Sequence, residues 1–165
     1  IEKPNFKFII KKYNTKDNLY NDLKNKIKIP IINMPKEVFN HTKKTCKKNS
    51  KIGLLATEGT LKTKVYDRIF SKDYELCFPT NKLQKQSVNK AIKEVKMGNV
   101  KKAAKVIQSS IKYLIKNKCK KIILGCTELP IAIFAFKSIK TAKTSKIFLD
   151  PNLILATSAV KKYKK

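Results

Sequence analysis

Short apolar runs recur along this chain at intervals that leave room for a helix between most of them. They fall at residues 6–10, 29–35, 51–57, 74–79, 121–125 and 146–150. Each is about as long as a strand, and each is apolar nearly throughout rather than at alternate positions. Such runs suit strands buried on both faces, which is the condition of a parallel sheet. The intervening segments at 16–26, 36–47, from 60 onward, 82–95 and 100–115 carry helical spacing. The clearest is the last, where Val100, Ala103, Ala104, Ile107, Ile111, Leu114 and Ile115 follow i, i+3, i+4, i+7. Gly98 and Asn99 break the helix before it, and Asp150-Pro151 opens a closing helix over 150–160. The alternation predicts an α/β protein with parallel sheets flanked by helices.

The chain has 165 residues, 42% of them hydrophobic, enough for a buried core. Its net charge of +28 first suggests nucleic acid. Arg68 is the sole arginine, however, and the lysines are spread through every segment. Specific phosphate and base recognition leans on arginine forks, so nucleic acid is not the expected partner. A field of this sign can still draw in a small anionic substrate. The cysteines Cys46, Cys77, Cys119 and Cys126 form no CxxC pair, and His41 is the single histidine, which argues against a zinc site. Four thiols in a chain with this much apolar material fit a reducing compartment, so the expected location is cytoplasmic. No run reaches the ~18 apolar residues of a membrane span. The chain begins at Ile1 rather than at a methionine, which leaves a targeting segment open.

Three strand ends carry residues capable of chemistry. In KIILGCTELP, a strand ends on Gly125, Cys126, Thr127 and Glu128, with Pro130 just beyond. Proline is tolerated in a first helical turn, so Thr127 is placed to cap a helix there, and a thiol at a helix N-terminus is expected to have a lowered pKa. A buried, inert cysteine is the plain alternative. In ATEGT, Thr57, Gly59 and Thr60 form a second strand-to-helix turn whose amides and hydroxyls suit a carboxylate. Asn14 and Thr15 mark a third polar strand end. In FIIKKYNT, Tyr13 follows Ile9-Ile10 by the same offset at which Cys126 follows Ile122-Ile123. The two therefore occupy equivalent strand ends, where α/β sheets bind ligands.

Taken in order, KIGLLATEGTLKTKVY, EVKMGNV, GCTELP and the closing LDPNLILA resemble the aspartate/glutamate racemase family over essentially the whole chain. The resemblance implies a two-domain α/β architecture with the active site between the domains. It also implies a cofactor-independent isomerase that interconverts L- and D-forms of an acidic amino acid, and a homodimer as a common assembly. Two cysteines on opposite faces of the substrate would move the proton at Cα. By position in the motifs, Cys126 is one of these, with Thr127 and Glu128 beside it. Asn14, Thr15, Thr57, Gly59, Thr60 and Lys96 would hold the substrate. On this reading residues 1–35 are the remnant of a first domain, completed by 146–165, and 36–145 are the second domain.

The sequence also departs from the family pattern. Tyr13 stands where the first catalytic cysteine is expected, and Lys64 where the family usually has glycine. The family's opening strand, glycine-containing loop and substrate-binding arginine have no counterpart, so the chain reads as beginning partway through the first domain. Two functions follow as expectations. One is a racemase using Cys126, with Tyr13 at the position of the lost cysteine. The other is an inactive racemase-like remnant that binds a small carboxylate or a partner subunit.

Overall fold

The computed structural model describes residues 9–11, 26, 28, 31–135 and 146–163. Strands β1 (Ile9–Lys11) and β2 (Ile31–Asn33) form a parallel pair with Ile9 opposite Ile31 and Lys11 opposite Asn33. Helix α1 (Met34–Thr45) follows β2 without a loop. The expected strand over 29–35 therefore ends earlier, because Asn33 already caps the helix, accepting from the Lys36 amide at 3.1 Å. Pro35 sits in the first turn, where its missing N–H has no helical acceptor to satisfy.

Strands β3 (Lys51–Leu55), β4 (Glu75–Cys77), β5 (Lys121–Leu124) and β6 (Phe148–Leu149) form a second sheet, parallel throughout, in the order β4-β3-β5-β6. Its side chains alternate between two buried faces. Ile52 and Leu54 of β3, Ile123 of β5 and Leu149 of β6 join Phe70 and Tyr74 on one side. Leu55, Ile122, Leu124 and Phe148 join Ile107, Leu114, Leu129 and Ile133 on the other. This is why the strands read as unbroken apolar runs: each face meets its own helical layer. Gly53 lets one of those helices come close, since a Cβ there would lie 2.9 Å from Leu114 Cδ1.

Between β3 and β4 lie α2 (Glu58–Lys62) and α3 (Asp67–Phe70). The helix expected over 82–95 is composite. It consists of α4 (Asn81–Leu83), a π-helical stretch (Gln84–Asn89) and α5 (Lys90–Lys96). The break at Gly98-Asn99 is held by the buried Glu94, whose carboxylate accepts from Asn99 Nδ2 at 2.9 Å and pairs with Lys102 Nζ at 2.8 Å. The single helix expected over 100–115 is two, α6 (Val100–Val106) and α7 (Gln108–Lys116), meeting at the buried Ile107. Helix α8 (Glu128–Phe134) follows β5, and α9 (Pro151–Tyr163) follows β6. Residues 146–163 serve both sheets. Strand β6 pairs with β5, while α9 packs on α1 and its Leu155 and Ala159 cluster with Ile32 and Met34. The helix expected over 16–26 lies outside the described residues, except for its last position.

Lys64, exposed in the turn between α2 and α3, has φ of 52°. A side chain in this left-handed region costs about 1–2 kcal/mol, while glycine adds about 0.5–1 kcal/mol of unfolded-state freedom. Lys64→Gly is therefore expected to stabilise the protein by up to about 1 kcal/mol, a rise of roughly 2–4 °C in melting midpoint. An unchanged or lower midpoint in a thermal melt contradicts this account of the turn.

Candidate active site

The carboxyl ends of β3 and β5 are locked side by side. The Gly125 amide donates to Leu55 O at 2.7 Å, one residue beyond the Leu55–Leu124 register. A Cβ on Gly125 would lie 3.0 Å from Ala56 Cβ and 3.3 Å from Leu55 O, so only glycine permits this approach without a shift. As a result the turn bearing Thr57, Gly59 and Thr60 and the turn bearing Cys126, Thr127 and Glu128 leave the same edge of the sheet from adjacent strands.

Cys126 is buried, and its Sγ donates to Glu128 Oε2 at 2.8 Å. Thr127 Oγ1 donates to the same oxygen at 2.9 Å. Lys96 Nζ lies 3.7 Å from Glu128 Oε1, but its side chain is 64% exposed, so water screens much of that attraction. Two expectations need correction here. Thr127 has helical φ and ψ and makes no side-chain cap bond, because its hydroxyl is spent on the Glu128 carboxylate instead. The Cys126 thiol is also not acidified: burial, followed by the hydrogen bond to the Glu128 carboxylate, pushes its pKa up to about 11. The Glu128 amide and Lys96 pull the other way with less effect. Burial raises the Glu128 carboxyl as well. Hydrogen bonds from Cys126, Thr127 and its own amide, with Lys96 nearby, outweigh this and hold it below its ordinary value. At neutral pH the pair is a neutral thiol beside a carboxylate.

Thr57 caps α2, accepting from the Thr60 amide at 3.3 Å, and the two hydroxyls lie 3.1 Å apart. A Cβ on Gly59 would meet no heavy atom closer than Thr57 Oγ1 at 3.9 Å, so that side of the turn is open. A small cavity of about 10 Å³ adjoins Cys126 and Thr127, walled also by Met34 and Asn152; this is on the order of the space one water needs. Tyr13, Asn14 and Thr15 lie outside the described residues.

One group at this edge went unread in the sequence. Gln84, at the start of the π-helical stretch, is 6% exposed and donates from Nε2 to Ala56 O at 2.9 Å and to Asn89 Oδ1 at 2.8 Å. Asn89 Nδ2 in turn donates to Glu58 Oε1 at 2.8 Å. The relay ties the base of the Thr57 turn to the following helix. Its signal was the spacing of Gln84, Val88, Ala91 and Ile92, which puts a polar residue on a buried helical face. Among the described residues, no group of three or more His, Cys, Asp or Glu side chains is placed to hold a metal ion. No helix among them is long and apolar enough to cross a membrane.

The thiol's proton affinity is open to test by alkylation followed with residue-resolved mass spectrometry. The rate at Cys126 is expected to climb with pH toward a midpoint near 11 in the native protein. Glu128→Gln removes the negative charge that disfavours the thiolate, so the midpoint should move down; Lys96→Met should move it up. A midpoint unaffected by Glu128→Gln contradicts the assigned contact.

Comparison with known proteins places the chain and its fold. The chain is 30% identical over 112 residues to a glutamate racemase from Lactiplantibacillus plantarum, covering 66% of this chain and 39% of that protein. It superposes on an aspartate racemase from Picrophilus torridus with a TM-score of 0.65 and 26% identity, covering 82% of this chain and 53% of that one. It superposes on an aspartate racemase homologue from Pyrococcus horikoshii with a TM-score of 0.78 and 22% identity, over 96% of this chain and 67% of that one. The chain thus spans about half the length of the Picrophilus enzyme and less than half of the Lactiplantibacillus protein. The Asp/Glu/Hydantoin racemase family profile matches residues 1–159, and the chain belongs to that family.

Proposed function

We propose that this protein moves a proton at Cα of aspartate or glutamate without a cofactor, and that Cys126 is the group that carries it. The observation that bears most weight is the 2.8 Å contact from the thiol to Glu128. It gives the sulfur proton somewhere to go. In the direction of proton removal, Glu128 accepts the S–H proton and the thiolate takes the proton from Cα. In the direction of return, the neutral thiol donates to the carbanion; the thiolate then recovers the proton that Glu128 took in a preceding removal, or a proton from water where the cycle starts from the Glu128 carboxylate. The resting state is the neutral thiol, so Cys126 is poised as the acid and needs Glu128 to act as the base. Lys96 biases the pair toward its resting form by favouring the Glu128 carboxylate.

On this reading the substrate's carboxylates and amine are held by the Thr57, Gly59 and Thr60 turn and by Thr127, with Asn14 and Thr15 from the first domain. The proposed division into residues 1–35 with 146–165, and 36–145, sets these groups on both sides of a cleft. Full racemisation needs a second acid/base on the far face of Cα. Tyr13 is at that position in the sequence, and its ordinary pKa near 10 suits donation better than abstraction at neutral pH. The competing reading, a protein that binds a small acid without turning it over, draws support from the high proton affinity of Cys126.

Proton NMR in D₂O with each enantiomer of aspartate and glutamate separates these readings. Exchange of the Cα proton in both enantiomers with interconversion, lost in Cys126→Ser, is the outcome expected of a racemase. Exchange of one enantiomer without inversion means a single working face. With a folded sample and no exchange at all, the enzymatic reading fails and the binding reading stands.

A further inference from the structure

A second cavity lies away from Cys126 and shares no wall residue with the Cys126–Thr127–Glu128 turn. It is about 760 Å³, between α1 and α9, closed on a third side by β6 and the end of α8. That volume is in the ~300–1,000 Å³ range of small-molecule sites. Its floor is apolar: Phe134, Phe148, Leu149 and Ile154, with Leu153 at the edge. Phe134 and Leu153 are 40% and 66% exposed, so the floor is open to solvent.

The charges around this floor do not balance. Two carboxylates line the cavity, and both are already engaged. Glu37 pairs with Lys162 at 3.2 Å, and Asp150 Oδ1 accepts from the amides of Asn152 and Leu153 at the start of α9. Lys44 and Lys161 also line the cavity, are exposed, and make no ion pair with any described residue. His41 of α1 lines the same cavity, and both lysines act on it electrostatically. Its pKa is lowered by burial first, and then by Lys121, Lys44 and Lys161. The lining carries Lys44, Lys161 and Lys162 against Glu37 and Asp150, an excess of one positive charge.

We infer that this cavity is a binding site for a small amphipathic anion, a monocarboxylate with an apolar body. The body would lie on Phe134, Phe148 and Leu153, and the carboxylate would lie between Lys44 and Lys161. An apolar floor rewards removal of the hydrocarbon from water, and the two unpaired ammonium groups fix which end faces out. The site is independent of the chemistry at Cys126.

Because His41 is the only histidine in the chain and lines this cavity, its ring protons give a resolved reporter there. The test is a titration of the intact chain with octanoate, followed by proton NMR of His41, with acetate and octanol as matched controls. Octanoate is expected to shift the His41 resonances saturably and to raise the pH at which the ring titrates, since a bound anion offsets the lysines. Lys44→Gln/Lys161→Gln should weaken octanoate binding at least tenfold. The same charge change placed on α7, Lys112→Gln/Lys116→Gln, should leave it within twofold, and circular dichroism confirms that each variant is folded. No shift with octanoate overturns the assignment. So does an equal response to acetate, or an equal loss in both double variants, either of which reduces the effect to the general charge of the surface.

Discussion

The candidate site of this protein depends on one backbone contact, the Gly125 amide bonded to Leu55 O where β3 and β5 run out of sheet. It fixes the distance between two turns that are 70 residues apart in sequence and gives them a common floor. Any side chain at 125 would push against Ala56 and the Leu55 carbonyl. The threonine turn and the cysteine turn could then keep their places only if these neighbours gave way by a few tenths of an ångström. The two-sided core serves the same end. With Ile52, Leu54 and Ile123 buried on one face and Leu55, Ile122 and Leu124 on the other, neither strand can slip by one residue without reversing its packing.

Beyond the sheet, the site is steadied by polar bonds as well as by the apolar cluster that joins Val88, Ala91 and Ile92 to Cys126 and Leu129. Gln84 and Asn89 join Ala56 to Glu58 through side-chain amides, and the widened helical stretch that begins at Gln84 places both of them facing the turn. Departures of this kind from the α-helix tend to occur at functional sites. Glu94 does comparable work two residues before Lys96, holding the Gly98-Asn99 corner through Asn99 and Lys102. Both ends of the composite helix are thereby tied down. That leaves Lys96 extending from an anchored segment toward Glu128.

Much of the fold was legible because burial on two faces leaves a plain record: apolar runs of strand length, separated by segments of helical period. Strand ends were harder to place. Asn33 and Pro35 fit a strand terminus or a helix start equally well until the Lys36 amide is seen to take the Asn33 side chain. The turn around Cys126 was legible as a strand-to-helix junction, since glycine, cysteine, threonine and glutamate follow an apolar strand there with a proline just beyond. The direction of its thiol pKa was not. A helix start argues for acidity, whereas the degree of burial and a carboxylate two residues on argue against it, and only the folded chain sets their weights. Thr127 was misread for a related reason, because a hydroxyl beside a carboxylate has a better acceptor than a cap offers. Lys64 is the converse case: its sequence position called for glycine, and the backbone there is indeed left-handed.

The protonated state of Cys126 also bears on how long the protein can survive in an oxidising cell. Peroxides attack thiolates, and sulfenic acid formation is the first step toward irreversible loss of the sulfur. A thiol held near pKa 11, buried, and bonded to a carboxylate presents almost no thiolate to solution at neutral pH. On the proposed mechanism, reactive sulfur forms only in the moment that Glu128 takes its proton. Burial and the contact to Glu128, which together hold the proton on the sulfur, thus also shield the cysteine from oxidants.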